Sequence, residues 1–179
     1  MKLHLGCGPK EFAGWYHVDA LSYPHVDHIG PVEKLDFVED QTVEIIYACH
    51  VLEHFGRNAY KDVLREWQRV LQPGGVLRLA VPDFAACAQA YVSGELSRGL
   101  LDVTGLLMGG QRDKYDYHSA LFDKETLTND LIECGFSSVR EWDWRQTEHS
   151  DIDDYSQSYL PHMQKHTGRL MSLNLEGVR

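Results

Sequence analysis

The sequence is short of features that would each point to a particular class of protein. It holds only four cysteines, Cys7, Cys49, Cys87 and Cys134, and no two of them form a Cys-x-x-Cys pair. A disulfide framework or zinc knot is therefore not expected. We expect free, mostly buried thiols in a reducing compartment. No apolar run approaches the roughly 18 residues of a membrane span, and the first residues lack a signal peptide's apolar region. We expect a cytoplasmic protein without a membrane span.

Basic charge is also scarce. The chain has 17 Lys and Arg residues against 27 Asp and Glu residues, for a formal net charge of −10. Binding to a nucleic-acid backbone depends mainly on Lys and Arg, so nucleic acid is an unlikely partner. A small-molecule or glycan substrate is the better expectation, and the composition does not predict an oligomeric state.

The hydrophobic pattern predicts one α/β domain over residues 1–179. A length of 179 residues with 43% hydrophobic residues is enough for one core. Predicted strands lie at 2–5, 15–19, 25–29, 43–49, 76–81, 138–142 and 169–178, and predicted helices at 60–71, at 84–92 after Asp83, and between Asp123 and Gly135. Strands that alternate with helices favour a parallel sheet, and the last two strands suggest an antiparallel addition at one edge.

Two segments have no clear period, 93–117 and 145–167. The first contains several glycines and mixed charges, and the second is polar, aromatic and rich in histidine. We interpret both as insertions or a lid, which would make them the segments that select a substrate.

A glycine-rich turn follows the first strand. Gly6 and Gly8 flank Cys7, and glycine lets a ligand approach the backbone closely because it has no Cβ. A dinucleotide-binding fingerprint would need a third glycine at position 11, where Glu11 stands. Asp19 ends the second strand, where nucleoside-binding α/β folds place an acid that accepts hydrogen bonds from the ribose. The short spacing from Gly8 to Asp19 leaves room for about one turn of helix, around residues 11–13.

The order of these motifs resembles that of a known family. Leu5-Gly6-Cys7-Gly8-Pro9, Gly14 to Asp19, Leu35-Asp36, Val51-Leu52-Glu53-His54 and Val70 to Gly75 follow one another as in the class I S-adenosylmethionine-dependent methyltransferases. The chain is most similar to their small methyltransferase type 11-like domains. The resemblance implies a Rossmann-like, doubly wound, mostly parallel sheet with an antiparallel C-terminal strand and a shortened first helix.

The resemblance also implies S-adenosylmethionine as the cofactor, S-adenosylhomocysteine as the product, and no metal. Gly6, Cys7 and Gly8 would lie under the methionine moiety, and Asp19 would accept the ribose hydroxyls. Asp36, after Leu35, would set the adenine amino group, and His50 and Val51 would line the floor beneath the sulfonium. The implied cofactor-binding residues are Gly6, Cys7, Gly8, Asp19, Leu35, Asp36, His50 and Val51.

Methyl transfer needs a general base only if the acceptor loses a proton in the transition state. For a hydroxyl acceptor, the candidate catalytic residues are His50, Glu53 and His118. The stretch from Tyr155 to His162 could bind substrate. Each of these histidines could equally be an ordinary surface or half-buried residue.

Two alternatives remain open. His50, Glu53 and His54 match the His-x-x-Glu-His pattern of inverted zinc peptidases, but no third ligand is identifiable and His50 ends a strand. A non-catalytic scaffold or cofactor-binding protein with this fold is the other alternative, because a fold does not fix a function.

Overall fold

The computed structural model describes residues 1–179. Its strands are β1 Lys2–Leu5, β2 Tyr16–Asp19, β3 His28–Ile29, β4 Val43–Cys49, β5 Leu71–Pro82, β6 Ser138–Glu141, β7 Tyr159–Leu160, β8 Arg169–Leu170 and β9 Ser172–Val178. Its α-helices are α1 Tyr60–Val70, α2 Phe84–Val92, α3 Thr104–Met108 and α4 Lys124–Glu133. No helix is long and apolar enough to cross a membrane.

Seven strands form one sheet in the order β3-β2-β1-β4-β5-β9-β6. The first five pair in parallel, whereas β9 runs antiparallel to both β5 and β6. The α/β class, the mostly parallel sheet and the antiparallel C-terminal strand are therefore confirmed.

The strand predicted over residues 169–178 is divided in the structure. Arg169 and Leu170 pair with β7 in a separate two-stranded sheet, and only β9 joins the main sheet. The β5 strand is longer than the predicted 76–81, because it begins at Leu71 immediately after α1.

One face of the sheet packs against helices. Helix α1 places Val63, Leu64 and Trp67 in the core, as its helical spacing of apolar residues predicts. The Trp67 indole nitrogen donates to the Val32 carbonyl at 2.8 Å, so its one polar atom is satisfied inside the core. Leu127 and Leu131 of α4 belong to the same apolar cluster.

The predicted helix caps are present. The Asp83 carboxylate accepts hydrogen bonds from the amides of Ala85 and Ala86 at the start of α2. Asp123 accepts from the Thr126 amide at 2.8 Å at the start of α4, and Gly135 follows that helix with φ +99°. The local sequence therefore sets these helix ends.

The opposite face of the sheet is covered by irregular chain. No helix lies between β1 and β2, so the turn predicted around residues 11–13 is wrong and the shortening is complete. Phe12 packs there with Trp15 and Tyr47, and the Phe12 ring stacks on His149 at 4.4 Å between centroids. The 11 residues after Gly8, up to Asp19, must also include β2, which leaves too few for a helix. Buried aromatic side chains cover this face of the sheet instead.

The segment 145–167 supplies much of this cover. The Tyr47 hydroxyl donates to the Asp154 carboxylate at 2.6 Å, and the Asn174 amide of β9 donates to the Ser156 carbonyl at 3.0 Å. Part of the segment is therefore built onto the sheet.

Two buried histidines in this layer make stability depend on pH. Burial lowers the pKa of His4 and of His149 below the ordinary 6.5. Both stay neutral in the folded protein while the unfolded chain binds protons as the pH falls through about 6.5. The free energy of unfolding should therefore fall below pH 6.5, by up to about 1.4 kcal/mol per pH unit for each histidine.

Urea unfolding between pH 8 and pH 5 measures this slope. The His149→Phe variant should flatten it, because the replacement stacks on Phe12 without a titratable nitrogen. Replacement of the exposed His166 by Ala is the control and should leave the slope unchanged. A slope that His149→Phe does not alter would contradict the assignment.

Candidate active site

The turn after β1 is held against the end of β2 by backbone contacts. Gly6 and Gly8 both adopt positive φ, +61° and +52°, which glycine does at no steric cost. The Gly6 amide donates to the Val18 carbonyl at 2.8 Å, and the Gly8 amide donates to the Asp19 carboxylate at 2.7 Å. These two bonds set the shape of the glycine loop, residues 6–8.

Asp19 fixes two turns at once. Its other carboxylate oxygen accepts from the Leu21 amide at 2.8 Å, and the residue is only 8% exposed. A carboxylate has about four acceptor positions, so two remain for donors from a ligand. Cys7 contributes no reactive thiolate, because burial raises the pKa of its thiol to about 12.

The turn after β4 lies beside the glycine loop. The His50 amide donates to the Ala80 carbonyl at 2.7 Å, and His50 has a positive φ of +55°. A Cβ added to Gly6 would lie 2.5 Å from a methyl group of Val51. Gly6, Gly8, Asp19, His50 and Val51 therefore lie together at the carboxyl ends of β1, β2 and β4, the edge where open α/β sheets bind ligands, and we call this region the crevice.

Leu35 and Asp36 do not join this crevice. Leu35 is fully buried in the core, its amide donates to Glu66 and its carbonyl accepts from Arg69. These partners lie in the last turns of α1, next to the start of β5 and thus at the amino edge of the sheet. Asp36 is 72% exposed there and pairs with Lys34 at 3.0 Å. The long connection between β3 and β4 has no periodic pattern, so the sequence could not predict which edge of the sheet Leu35 and Asp36 would reach.

His50, Glu53 and His118 do come together. The Glu53 Oε1 atom lies 3.3 Å from His50 Nδ1 and 3.8 Å from His118 Nε2. The amides of Ser119 and Ala120 donate to the Glu53 carbonyl, which brings His118 across from a distant part of the chain. We call His50, Glu53, His54 and His118 the polar cluster, since the His54 and His118 rings also meet at 4.9 Å between centroids.

Burial sets the charge state of the polar cluster. It raises the pKa of Glu53 to about 8 and lowers that of His50 to about 3. The pKa of His118 is also lowered, again chiefly by burial. At neutral pH, Glu53 is accordingly a neutral acid between neutral imidazoles, and its close approach to His50 is not an ion pair.

The peptidase pattern lacks its required geometry. His50 ends β4, and only Leu52 to His54 form a helical turn, of the 3₁₀ type. The two histidines of the motif therefore do not share an α-helix, and a zinc peptidase is not favoured.

The second irregular segment reaches the crevice through Tyr155. The Tyr155 ring stacks on His50 at 5.0 Å between centroids while remaining 58% exposed. Sequence reasoning placed Tyr155 in a stretch that could bind substrate, but no signal in the sequence pairs it with His50.

Both irregular segments also line a cavity of about 480 Å³. Arg98, Asp102 and Leu106 line it from one segment, and Tyr159 and His162 from the other. Met171 also lines it, and the Asp83 amide at the end of β5 donates to the Met171 carbonyl. The cavity therefore lies at the same edge of the sheet as the glycine loop.

Alanine substitutions in the glycine loop test its packing. Gly8→Ala meets no atom within 4 Å and should cost only the strain of positive φ, about 1–2 kcal/mol of unfolding free energy. Gly6→Ala carries the same strain and must also displace Val51, so we expect a larger loss. Urea unfolding of both variants measures the difference, and equal losses would contradict the contact with Val51.

Comparison with known proteins adds sequence evidence. Residues 22–79 match the family described as "Methyltransferase domain". The matched range covers β3, β4, α1 and most of β5 but begins after Asp19, so the glycine loop is assigned on geometry. No curated protein matches the chain.

Solved structures share the fold along nearly the whole chain. A SAM-dependent methyltransferase from Archaeoglobus fulgidus is 14% identical with a TM-score of 0.60, over 99% of this chain and 85% of that chain. The 1,6-didemethyltoxoflavin-N1-methyltransferase of Burkholderia thailandensis, solved with bound 1,6-didemethyltoxoflavin and S-adenosylhomocysteine, is 14% identical with a TM-score of 0.57. The alignment covers 99% of this chain and 70% of that one.

The sheet order, the crevice at its carboxyl edge and the match over residues 22–79 agree with one another. On these grounds the chain has the class I methyltransferase fold, and its residues 22–79 match the methyltransferase domain family.

Proposed function

We propose that this protein transfers a methyl group from S-adenosylmethionine to a small-molecule or glycan acceptor. The observation that supports this best is the glycine loop, held open by the Asp19 carboxylate at the carboxyl edge of a methyltransferase-type sheet. A loop of this shape presents backbone to a ligand, and the adjacent acid retains free acceptor positions for hydroxyl groups.

The cofactor is proposed to lie across the ends of β1, β2 and β4. Gly6, Cys7 and Gly8 would support its methionine part, and Asp19 would accept hydrogen bonds from the ribose hydroxyls. His50 and Val51 would form the floor beneath the sulfonium. We leave Leu35 and Asp36 out of the proposed site, because they lie at the opposite edge of the sheet.

The proposed reaction is an in-line displacement at the methyl carbon. The bond from carbon to sulfur breaks as the bond to the acceptor atom forms, and S-adenosylhomocysteine leaves. The donor is already a strong electrophile, so the protein contributes mainly alignment of the two reactants.

Among the candidate catalytic residues, His118 suits proton transfer best. Its Nδ1 lies 2.9 Å from the Leu106 carbonyl, which fixes the proton there and leaves Nε2 as an acceptor. His50 is a weak base because of its pKa of about 3, and Glu53 holds its own proton at neutral pH. We infer that His50 and Glu53 position other groups of the site and do not transfer the proton themselves.

The acceptor is proposed to enter between the two irregular segments, 93–117 and 145–167. The cavity that they line mixes charged and apolar side chains, which suits a small polar acceptor rather than a nucleic acid. All four cysteines are free, which supports the expected cytoplasmic location.

Cofactor affinity tests the assignment of Asp19. In Asp19→Ala the ribose loses its proposed acceptor and the Gly8 amide loses its partner, so affinity for S-adenosylhomocysteine should fall at least about tenfold. Asp36→Ala is the matched control, an acid at the other edge of the sheet, and should bind as the unaltered chain does. Calorimetric titration measures both, and equal affinity in Asp19→Ala would exclude the ribose contact.

Methyl transfer itself distinguishes an enzyme from a scaffold. Labelled S-adenosylmethionine incubated with the protein and a cell extract should yield a labelled acceptor. Tight binding of S-adenosylhomocysteine without any labelled product would favour the scaffold.

A further inference from the structure

We propose that Glu53, His54 and His118 bind a divalent first-row transition metal ion beside the crevice. One donor atom from each residue can be chosen so that the three lie within 4.8 Å of one another. Donor atoms that share one ion with bonds of about 2.0–2.2 Å lie roughly 3.5 Å apart in tetrahedral geometry, so binding would draw these side chains together by up to about 1 Å. The resemblance implied no metal, and the sequence offered no third ligand beside the His-x-x-Glu-His motif, whereas the tertiary structure supplies His118.

The Glu53 side chain gives an independent reason to expect a cation. It is fully buried, and neither of its carboxylate oxygens has a hydrogen-bond partner. His50 Nδ1 approaches Oε1 to 3.3 Å but makes no hydrogen bond with it. Buried polar atoms without partners are rare because they lose their hydration without compensation, and a bound ion is one common explanation.

The histidines have the orientation of metal ligands. His118 Nδ1 faces the Leu106 carbonyl at 2.9 Å, a contact that requires the proton on Nδ1. The unprotonated Nε2 then lies 3.8 Å from Glu53, and an ion bound there would take the place of the proton that Nε2 is proposed to accept in the metal-free protein. Metal-bound histidines usually donate their second nitrogen to a carbonyl or carboxylate in this way.

His54 has the capacity for one metal bond. Its two ring nitrogens each lie 3.1 Å from a carbonyl oxygen, of His50 and of Tyr117. A neutral imidazole carries only one N–H, so one of these contacts is not a hydrogen bond. Rotation of the ring would aim the unprotonated nitrogen at an ion and would release both carbonyl contacts.

The donor set decides the class of ion. Binding of the ion displaces the Glu53 proton into solvent. A carboxylate oxygen with imidazole nitrogens suits Zn²⁺, Fe²⁺, Co²⁺ or Mn²⁺, whereas Mg²⁺ and Ca²⁺ prefer oxygen ligands alone. Three protein ligands leave at least one coordination position open. Because His50 and Val51 of the crevice lie only three and two residues before Glu53 in the chain, that position could hold an oxygen atom of an acceptor.

Titration of the folded protein with Co²⁺ tests the proposal. We expect one ion per chain, visible absorption from the bound ion, and a rise in melting temperature, since the ion binds only the folded state. Glu53→Gln and His118→Ala should each weaken binding at least about tenfold. His166→Ala, which removes an exposed histidine outside the cluster, should bind as the unaltered chain does.

Two results would overturn the proposal. One is the absence of stoichiometric Co²⁺ binding by the unaltered protein, a measurement that needs no variant to fold. The other is binding that both cluster variants retain at full affinity, with folding checked by circular dichroism. Titration with S-adenosylhomocysteine on the same samples separates loss of the metal site from failure of the proposed cofactor site.

Discussion

The hydrogen bond between the Asp19 carboxylate and the Gly8 amide joins the two strand ends on which the crevice depends. It holds the chain after β1 against the end of β2, and Gly8 adopts a positive φ there, which glycine does at no steric cost. Gly6 has no Cβ, and the Val51 side chain occupies the space where one would lie. The shape of the proposed cofactor site thus depends on the hydrogen bond between Asp19 and Gly8 and on glycine at positions 6 and 8.

The absence of a first helix changes how the sheet is protected. Irregular chain has no repeating backbone hydrogen bonds, so it must satisfy its polar groups individually. Asp154 does this by accepting from the Tyr47 hydroxyl, and Ser156 by accepting from Asn174. The aromatic rings of Phe12 and Trp15 supply the apolar contact that a helix would otherwise provide. This arrangement ties the second irregular segment to both the sheet and the crevice, through Tyr155 over His50.

The polar cluster contains buried side-chain atoms that lack hydrogen-bond partners. In the main core the Trp67 indole nitrogen has a hydrogen-bond partner, whereas Glu53 is buried without a partner for either carboxylate oxygen. Burial makes the carboxyl hold its proton, which lowers the cost but does not supply hydrogen bonds. Other buried side chains, such as His4 and His149, leave only one atom without a partner, whereas Glu53 leaves two, which is consistent with a functional role for the cluster.

Much of the fold was predictable from local sequence. The period of α1, the caps Asp123 and Asp83, and the buried run of β4 each depend on residues that are neighbours in the chain. The same is true of the glycine loop and of Asp19, because a strand end followed by Gly-x-Gly is a local signal.

Contacts between distant segments followed a different rule. Leu35 and Asp36 matched a motif in order, yet the connection after β3 carries them to the amino edge, where α1 binds their backbone. The meeting of His118 with Glu53 depends on two backbone bonds across the fold. Local residue patterns determine where elements begin, turn and end. Only the packed chain decides which side chains meet, because that depends on the paths of connections without periodicity.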